Sequence, residues 1–307
     1  MFQTTSNILM VRPANFGFNE ETAASNAFQS KVDELSDTTA SQKALQEFDT
    51  FVAKLRSKGV NVIVIEDTPV PVKPDAVFPN NWVTFHQDGT VITYPMLSKT
   101  RRQERREDVL DELMSDFFIG KKIELESYEE DGIILEGTGS LILDRPNRLA
   151  YACLSPRTSN DLLNRFCEIA GFKPVAFHAV DGSGLEIYHT NVMMALGETF
   201  VVICMDTVRD QEERKLLLSK FKQTKKEVIE ISLDQMMHFA GNMLQVRNNK
   251  GDTFLVMSEQ AYRSLNDVQI SKIESHTEIL YAAIPTIETL GGGSVRCMMA
   301  EVFLPEK

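Results

Sequence analysis

Five segments of this 307-residue chain share one form, small or polar residues followed by an apolar run of strand type. They are Asn80-Asn81-Trp82-Val83, Gly139-Ser140-Leu141-Ile142, Thr190-Asn191-Val192-Met193, Gly241-Asn242-Met243-Leu244 and Arg296-Cys297-Met298-Met299. Taking the residue before each run as an anchor (Asn81, Ser140, Asn191, Asn242, Cys297), the steps are 59, 51, 51 and 55 residues. The first four anchors are each followed by a turn with Gly, Pro or Asn (HQDG, DRPNR, LGE, RNNKGD) and a second apolar run, so the units read as hairpins. A polar stretch with helical spacing of apolar residues comes next: SKTRRQERREDVLDELMSDFF, SNDLLNRFCEIAGF, DQEERKLLLSKFKQ and Ser258 to Glu274. A third strand then closes each unit: KKIELES, KPVAFHAV, KEVIEISL and TEILYAAI.

The fifth unit stops after MMAEVFL, and the N-terminus supplies its missing parts in order: NILMVRP as second strand, Thr22 to Gly59 as helical segment, VNVIVIED as third strand. Unpaired strand edges are costly, so NILMVRP is expected to pair beside MMAEVFL and close the ring. The resulting expectation is an α/β fold, a five-bladed ββαβ propeller with pseudo-fivefold symmetry closed by its terminal strands, in one domain over residues 1–307. The alternative is an open α/β domain with accidental spacing.

Closure would bring the anchors to one axis, so function is sought there. Around them stand Asp75, Asn80, Asn81, Glu136, His189, Asn191, Asn242, Arg296 and Cys297. Cys297 follows Gly291-Gly292-Gly293-Ser294-Val295-Arg296, a run that lets backbone approach a ligand closely, with Arg296 placed to favour a thiolate. That makes Cys297 the candidate nucleophile; the alternative is a buried, inert thiol beside a flexible turn. His189, two residues before an anchor, is the candidate acid and base, although a lone histidine is more often structural. Glu136, between apolar Ile133-Ile134-Leu135 and Gly137-Thr138-Gly139, is suited to hold the imidazole or substrate nitrogens; otherwise it is a carboxylate at a hairpin start. Asp75 can accept a planar N–H fork or simply initiate a turn after Pro74. The cluster Arg101, Arg102, Arg105 and Arg106 is read mainly as a solvated helix face paired with Glu104, Glu107 and Asp108, with one arginine turned inward. Arg157 is a second candidate for a substrate carboxylate, and Asn15 to Glu21, with Gly17 between two phenylalanines, a candidate lid.

Bulk properties narrow the partners. A net charge of −12 repels nucleic acid and anionic membranes, and MFQTTSNILMVRPANF has neither a basic leader nor a long apolar run. The four cysteines stand far apart without zinc-like spacing, which suits a reducing, cytoplasmic setting and no metal. The partner expected is a small-molecule amino acid; a homo-oligomeric state is left open, and no cofactor is expected.

The pieces PDAVFPNN, SKTRRQE, LEGTGS, SPRTS, YHTN, FAGN and GGGSVRCM, spread over nearly the whole chain, resemble the amidinotransferase superfamily of guanidino-group modifying enzymes. That superfamily includes arginine deiminases and dimethylarginine dimethylaminohydrolases. The resemblance implies the pentein propeller and a metal-free thiolate attack on a guanidinium carbon through a covalent thiouronium. It also implies roles: Cys297 as nucleophile, His189 as acid then base, Glu136 as orienting carboxylate, Asp75 as substrate contact, Arg101 and Arg157 as carboxylate binders. Two departures stand out. Asn80-Asn81 follows PDAVFP where hydrolases of this superfamily carry an acidic residue, and Asn191 stands where arginine deiminases carry Asp. A buried cation wants compensating charge, whereas an amide can donate to a ureido oxygen and accept from its nitrogens. The pattern also resembles the citrulline-utilisation branch. The expectation is a cysteine-dependent hydrolase of the guanidino or ureido carbon of an arginine- or citrulline-like amino acid; an amidinotransferase or a non-catalytic binding relative are the alternatives.

Overall fold

The computed structural model of the chain describes residues 2–23, 25–32 and 36–307. Fifteen strands occur among the described residues: β1 (Asn7–Arg12), β2 (Asn61–Glu66), β3 (Val83–Phe85), β4 (Thr90–Thr93), β5 (Lys121–Glu124), β6 (Ile142–Asp144), β7 (Leu149–Cys153), β8 (Lys173–Phe177), β9 (Met194–Leu196), β10 (Phe200–Ile203), β11 (Glu227–Glu230), β12 (Leu244–Arg247), β13 (Thr253–Ser258), β14 (Glu278–Ala282) and β15 (Ala300–Glu301). They form five three-stranded sheets, ordered β3-β4-β5, β6-β7-β8, β9-β10-β11, β12-β13-β14 and β15-β1-β2. In each sheet the first strand pairs antiparallel with the second, and the third joins the second in parallel after a helical crossover, the connection parallel strands require. The ring closes where Ile8 faces Glu301 and Leu9 faces Ala300. This is the five-bladed propeller expected from the repeat.

First strands of neighbouring blades touch one another, β15 with β3, β6 with β9 and β9 with β12, so they line the axis. Second strands such as Leu149–Cys153 and Phe200–Ile203 are buried throughout, matching their continuous apolar runs. Third strands are only partly buried: Lys121–Glu124 has no fully buried residue, and in Glu227–Glu230 only Ile229 is buried. The helix Asp37–Ser57, capped by Ser36, buries Phe48, Phe51 and Leu55 in a cluster with Val62, Val256 and Leu280.

Three helical expectations are revised. Ser258 to Glu274 is two helices, Glu259–Ser264 and Asp267–Glu274, because Ser258 and Asn266 each cap a start. Thr22 to Gly59 divides into Glu20–Ala23 and Asp37–Ser57; residues 24 and 33–35 of that stretch lie outside the described residues. SKTRRQERREDVLDEL breaks into a 3-10 turn, Arg101–Glu104, and a helix, Glu107–Leu113. Its arginines are not a solvated face: Arg101 is buried, Arg102 and Arg105 both engage Glu129, and Arg106 engages Asp67 as well as Asp108.

The anchors do not sit at strand starts either. Each lies on a single turn ahead of its first strand, closed by Trp82 N–H to Pro79 O, Leu141 N–H to Gly137 O, Val192 N–H to His189 O, Asn242 N–H to Phe239 O and Cys297 N–H to Ser294 O. The turn aims the anchor across the axis at its neighbour, which a strand running along the axis would not do. At the other ends of the first strands, residues 3–5 cross the axis. Gln3 bonds Leu143 O and Arg145 N, the Thr4 hydroxyl bonds Glu198, and Thr5 engages Val302 O and Arg247 N. No helix among the described residues is long and apolar enough to cross a membrane.

Candidate active site

Two anchor amides face the third anchor's sulfur. Asn242 Nδ2 lies 3.3 Å and Asn191 Nδ2 3.5 Å from Cys297 Sγ, and Asn242 Oδ1 receives the Arg296 N–H at 3.2 Å. N–H groups directed at sulfur from two blades support negative charge there. The other thiols are different in kind: burial pushes Cys153 and Cys167 up to about 12 and Cys204 to about 11, which keeps them protonated.

The imidazole comes from the same blade as Asn191, and its carboxylate from the neighbouring β6 blade. His189 Nε2 lies 2.7 Å from Glu136 Oε2, while Glu136 Oε1 accepts the Leu97 N–H at 2.9 Å. Burial opposes ionisation of Glu136, but Arg157 at 3.6 Å, His189 and Arg101 outweigh it and bring its pKa to about 2. Burial lowers the His189 pKa to about 4 in spite of the Glu136 bond. The pair is thus a carboxylate holding a neutral ring, with Nε2–H donating to Glu136 and Nδ1 left as the basic nitrogen. Such close approach needs a missing side chain. A Cβ on Gly139 would meet Asn81 Nδ2 at 2.3 Å and His189 Nδ1 at 2.8 Å, so only glycine lets these two blades meet.

Arg101 lines the cavity with its donors already engaged: its guanidinium forms a fork with Glu104 (2.9 and 2.9 Å) and donates to Asn81 Oδ1 at 3.0 Å and Phe78 O at 3.2 Å, so it also holds Asn81. Burial raises Glu104 to about 7, with Arg101 pulling the other way. Burial likewise pushes the Asp75 carboxyl up, partly offset by Arg101 and by Asn19.

Asp75 is covered by the chain itself. Asn19 Nδ2 bonds Asp75 Oδ2 at 2.7 Å, Arg157 donates to Ser25 Oγ at 2.6 Å, and Asn26 Nδ2 reaches Gly292 O at 3.2 Å. Glu21 fastens this cover, accepting from Lys99 N, Thr100 N and Ser98 Oγ at 3.0, 2.8 and 2.7 Å. The covering residues described are 19–23, 25 and 26, which share 19–21 with the expected Asn15 to Glu21; Phe16, only 2% exposed, belongs to the core. Thr22, Asn26, Asp75, Asn81, Arg101, Arg157, His189 and Cys297 are among the residues lining one cavity of about 20 Å³, room for about one water molecule. In this arrangement the cavity has no room for a ligand larger than a water molecule.

Unspent hydrogen-bonding capacity concentrates here. Of eleven buried polar side-chain atoms without a partner among the described residues, five are Asp75 Oδ1, Asn80 Oδ1, Asn81 Nδ2, Arg157 Nε and Asn191 Oδ1. Arg296 is the exception among the expected residues, since its side chain turns away to Met299 O and Glu301. Asn80 faces Thr138 at 3.3 Å, outside the cavity lining. Sequence reasoning missed Tyr188, whose ring stacks under Arg157, and the covering residues Thr22 and Asn26, while Asn19 lay within the expected lid. Tyr188 adjoins His189, a signal that was present; nothing local distinguished the others.

The family model described as N,N dimethylarginine dimethylhydrolase, eukaryotic, matches residues 12–304. Among solved structures, the N-terminal domain of ArgZ, covalently bound to a reaction intermediate, shares the fold with a TM-score of 0.76 at 16% identity, over 97% of this chain and 98% of that one. ArgZ is an arginine dihydrolase from the ornithine-ammonia cycle in cyanobacteria, and its apo form is matched over 41% of its length. A dimethylarginine dimethylaminohydrolase variant in an adduct with S-methyl-L-thiocitrulline gives 0.65 at 14% identity, over 97% and 99% of the two chains. No curated protein sequence matches the chain.

Proposed function

Because the chain belongs to the eukaryotic N,N-dimethylarginine dimethylhydrolase family, we propose that it is a hydrolase in which Cys297 attacks the ureido carbon of a citrulline-like amino acid. The observation that carries this reading is the meeting of one sulfur, one carboxylate-held imidazole and the unpaired Asn81 amide around a single small cavity, with the Asn191 amide against the same sulfur.

In the proposed sequence the Cys297 proton passes to His189 Nδ1 and the sulfur adds to the substrate carbon. The tetrahedral adduct collapses with loss of its terminal nitrogen, which leaves as ammonia carrying the proton from His189. A thiocarbamate remains on Cys297. Water, deprotonated by His189, then adds to the same carbon, the C–S bond breaks and the thiol recovers its proton. The carbamate so released loses carbon dioxide to give the free amine. Glu136 fixes the ring and offsets the charge it gains at each transfer. Arg157 Nε, buried without a partner, is the candidate receptor for the substrate carboxylate.

Polarity favours ureido over guanidinium. Asn81 Nδ2 is an unpaired donor and Asn191 Oδ1 an unpaired acceptor, and a ureido group offers the matching acceptor and donors, whereas a guanidinium offers donors alone. One observation favours a second reading, an arginine-like substrate: Asp75 Oδ1 is also unpaired and carries a carboxylate's capacity for a cation. The same thiol chemistry would then pass through a thiouronium. Ammonia release by purified protein supplied with citrulline or with arginine tests the choice. Release from citrulline is expected, abolished in Cys297→Ser; turnover of arginine alone removes the ureido assignment, and turnover of neither removes the hydrolase.

A further inference from the structure

We infer that Glu288 is a positioning residue for the nucleophile, holding the loop that carries Cys297 through the hydroxyl of Ser294. The inference rests on the reading of Cys297 given above.

The helix Pro285–Gly291 runs directly into Gly291-Gly292-Gly293, and three glycines have no side chains with which to fix their own path. Glu288 holds both ends of that path. Its backbone carbonyl accepts the Gly292 N–H at 2.9 Å, and its Oε1 accepts from Ser294 Oγ at 2.6 Å. Ser294 is fully buried, and its own carbonyl accepts the Cys297 N–H at 2.9 Å. The chain of contacts from Glu288 to the nucleophile's backbone is therefore two hydrogen bonds long. The other end of the helix is fixed as well, by Glu47 accepting from Thr286 N at 2.9 Å and Ile287 N at 3.0 Å.

Glu288 is an unusual residue to bury, being 4% exposed with no cation paired to it among the described residues. The groups facing it are Glu47 from the helix Asp37–Ser57, Ser258 at the end of β13 and Ser294. Asp234, His238, Glu259 and Arg263 share with it an open groove of about 570 Å³, where Arg263 is already engaged with Glu259. Burial pushes Glu288 up to about 7, with Ser258 and Ser294 pulling it down and Glu47 raising it. Its folded pKa therefore lies above the unfolded value, so its contribution to stability is full below about 4.5 and is lost as pH rises from there through about 7. Glutamine keeps the acceptor for Ser294 without that cost, which separates the hydrogen bond from the charge.

The test compares full-length wild type with Glu288→Ala, Glu288→Gln and Ser294→Ala at pH 8 and a temperature well below unfolding. Glu288→Ala and Ser294→Ala are expected to lower kcat roughly tenfold with KM within about twofold of wild type, and Glu288→Gln to keep at least about half of kcat. Alkylation of Cys297 by iodoacetamide, followed by peptide mapping with Cys153, Cys167 and Cys204 as internal references, is expected to change rate by about fivefold or more in the same two variants only. Retention of both kcat and alkylation rate in Ser294→Ala overturns the inference, as does a Glu288→Gln variant as impaired as Glu288→Ala, or a loss confined to KM. Should Glu288→Ala not fold, Ser294→Ala severs the same contact with a smaller change. If the wild type turns over neither citrulline nor arginine, the functional reading fails and the alkylation rates alone decide this one.

Discussion

The two ends of the propeller axis are built from the same strands and treat their polar groups in opposite ways. At one end residues 3–5 stitch the blades together, with Gln3 alone satisfying a carbonyl and an N–H on the β6 blade. Among the described residues there, Arg247 Nε, its guanidinium lying over the Phe2 ring, is left unpaired. At the other end Asp75, Asn80, Asn81, Arg157 and Asn191 each keep an unpaired buried atom. A buried polar atom without a partner costs on the order of 1–3 kcal/mol. Asp75, Asn81 and Arg157 line the cavity, where a ligand's own polar atoms can relieve them, whereas residues 3–5 supply satisfied contacts at the far end.

The sharpest way to break this contrast is Cys297→Ser, expected to lower turnover by roughly four orders of magnitude or more, with Tm within about 3 °C of wild type. A large fall in Tm with activity retained would make Cys297 a core residue. Gly139→Ala comes next. The added methyl must displace Asn81 or His189, so kcat/KM should fall about a hundredfold; steady-state kinetics unaffected by it would mean these two side chains do not act together. Asn81→Asp should shift the ratio of kcat/KM for arginine over citrulline upward by about tenfold, since a carboxylate suits a cation. An unmoved ratio would remove Asn81 from substrate discrimination.

At the far end the expected effect is on stability alone. Gln3→Ala removes two buried hydrogen bonds and should cost about 1–3 kcal/mol in urea unfolding, with kcat within about twofold of wild type. A loss of activity instead would show that the two ends are coupled. The smallest effect concerns pH. His189 has a folded pKa near 4, below its unfolded value, so the unfolded chain binds the extra proton first and stability falls as pH drops from about 6.5 to 4. Glu136, depressed to about 2, contributes stability that is present above about 4.5 and is lost as pH falls toward 2. Unfolding free energies of His189→Gln against pH should therefore lack the step between about 6.5 and 4; an unchanged step would assign it to another group.

Sequence reasoning reached the ring and the main members of the candidate site because both follow from local patterns. Alternating and helical periodicity, turn residues and a 51- to 59-residue spacing need no knowledge of distant partners. It went wrong where a side chain's direction was at issue. Arg296 neighbours an invited role by position, yet its side chain turns to Glu301. The cover was misplaced by a few residues for the same reason: Phe16 packs with Phe78 in the core, while Asn26 finds a partner 266 positions away.

What the amino-acid order determined by itself was the number of blades, their internal order and which residues would stand near the axis, because strand and helix periods are properties of consecutive residues. Tertiary structure alone decided which of those residues face one another, that burial keeps His189 neutral beside Glu136, and that Glu288 reaches the nucleophile's loop. Direction and protonation depend on burial and on charges brought close by packing, and a single turn rotates a side chain from the cavity to the core without altering the repeat that encodes the fold.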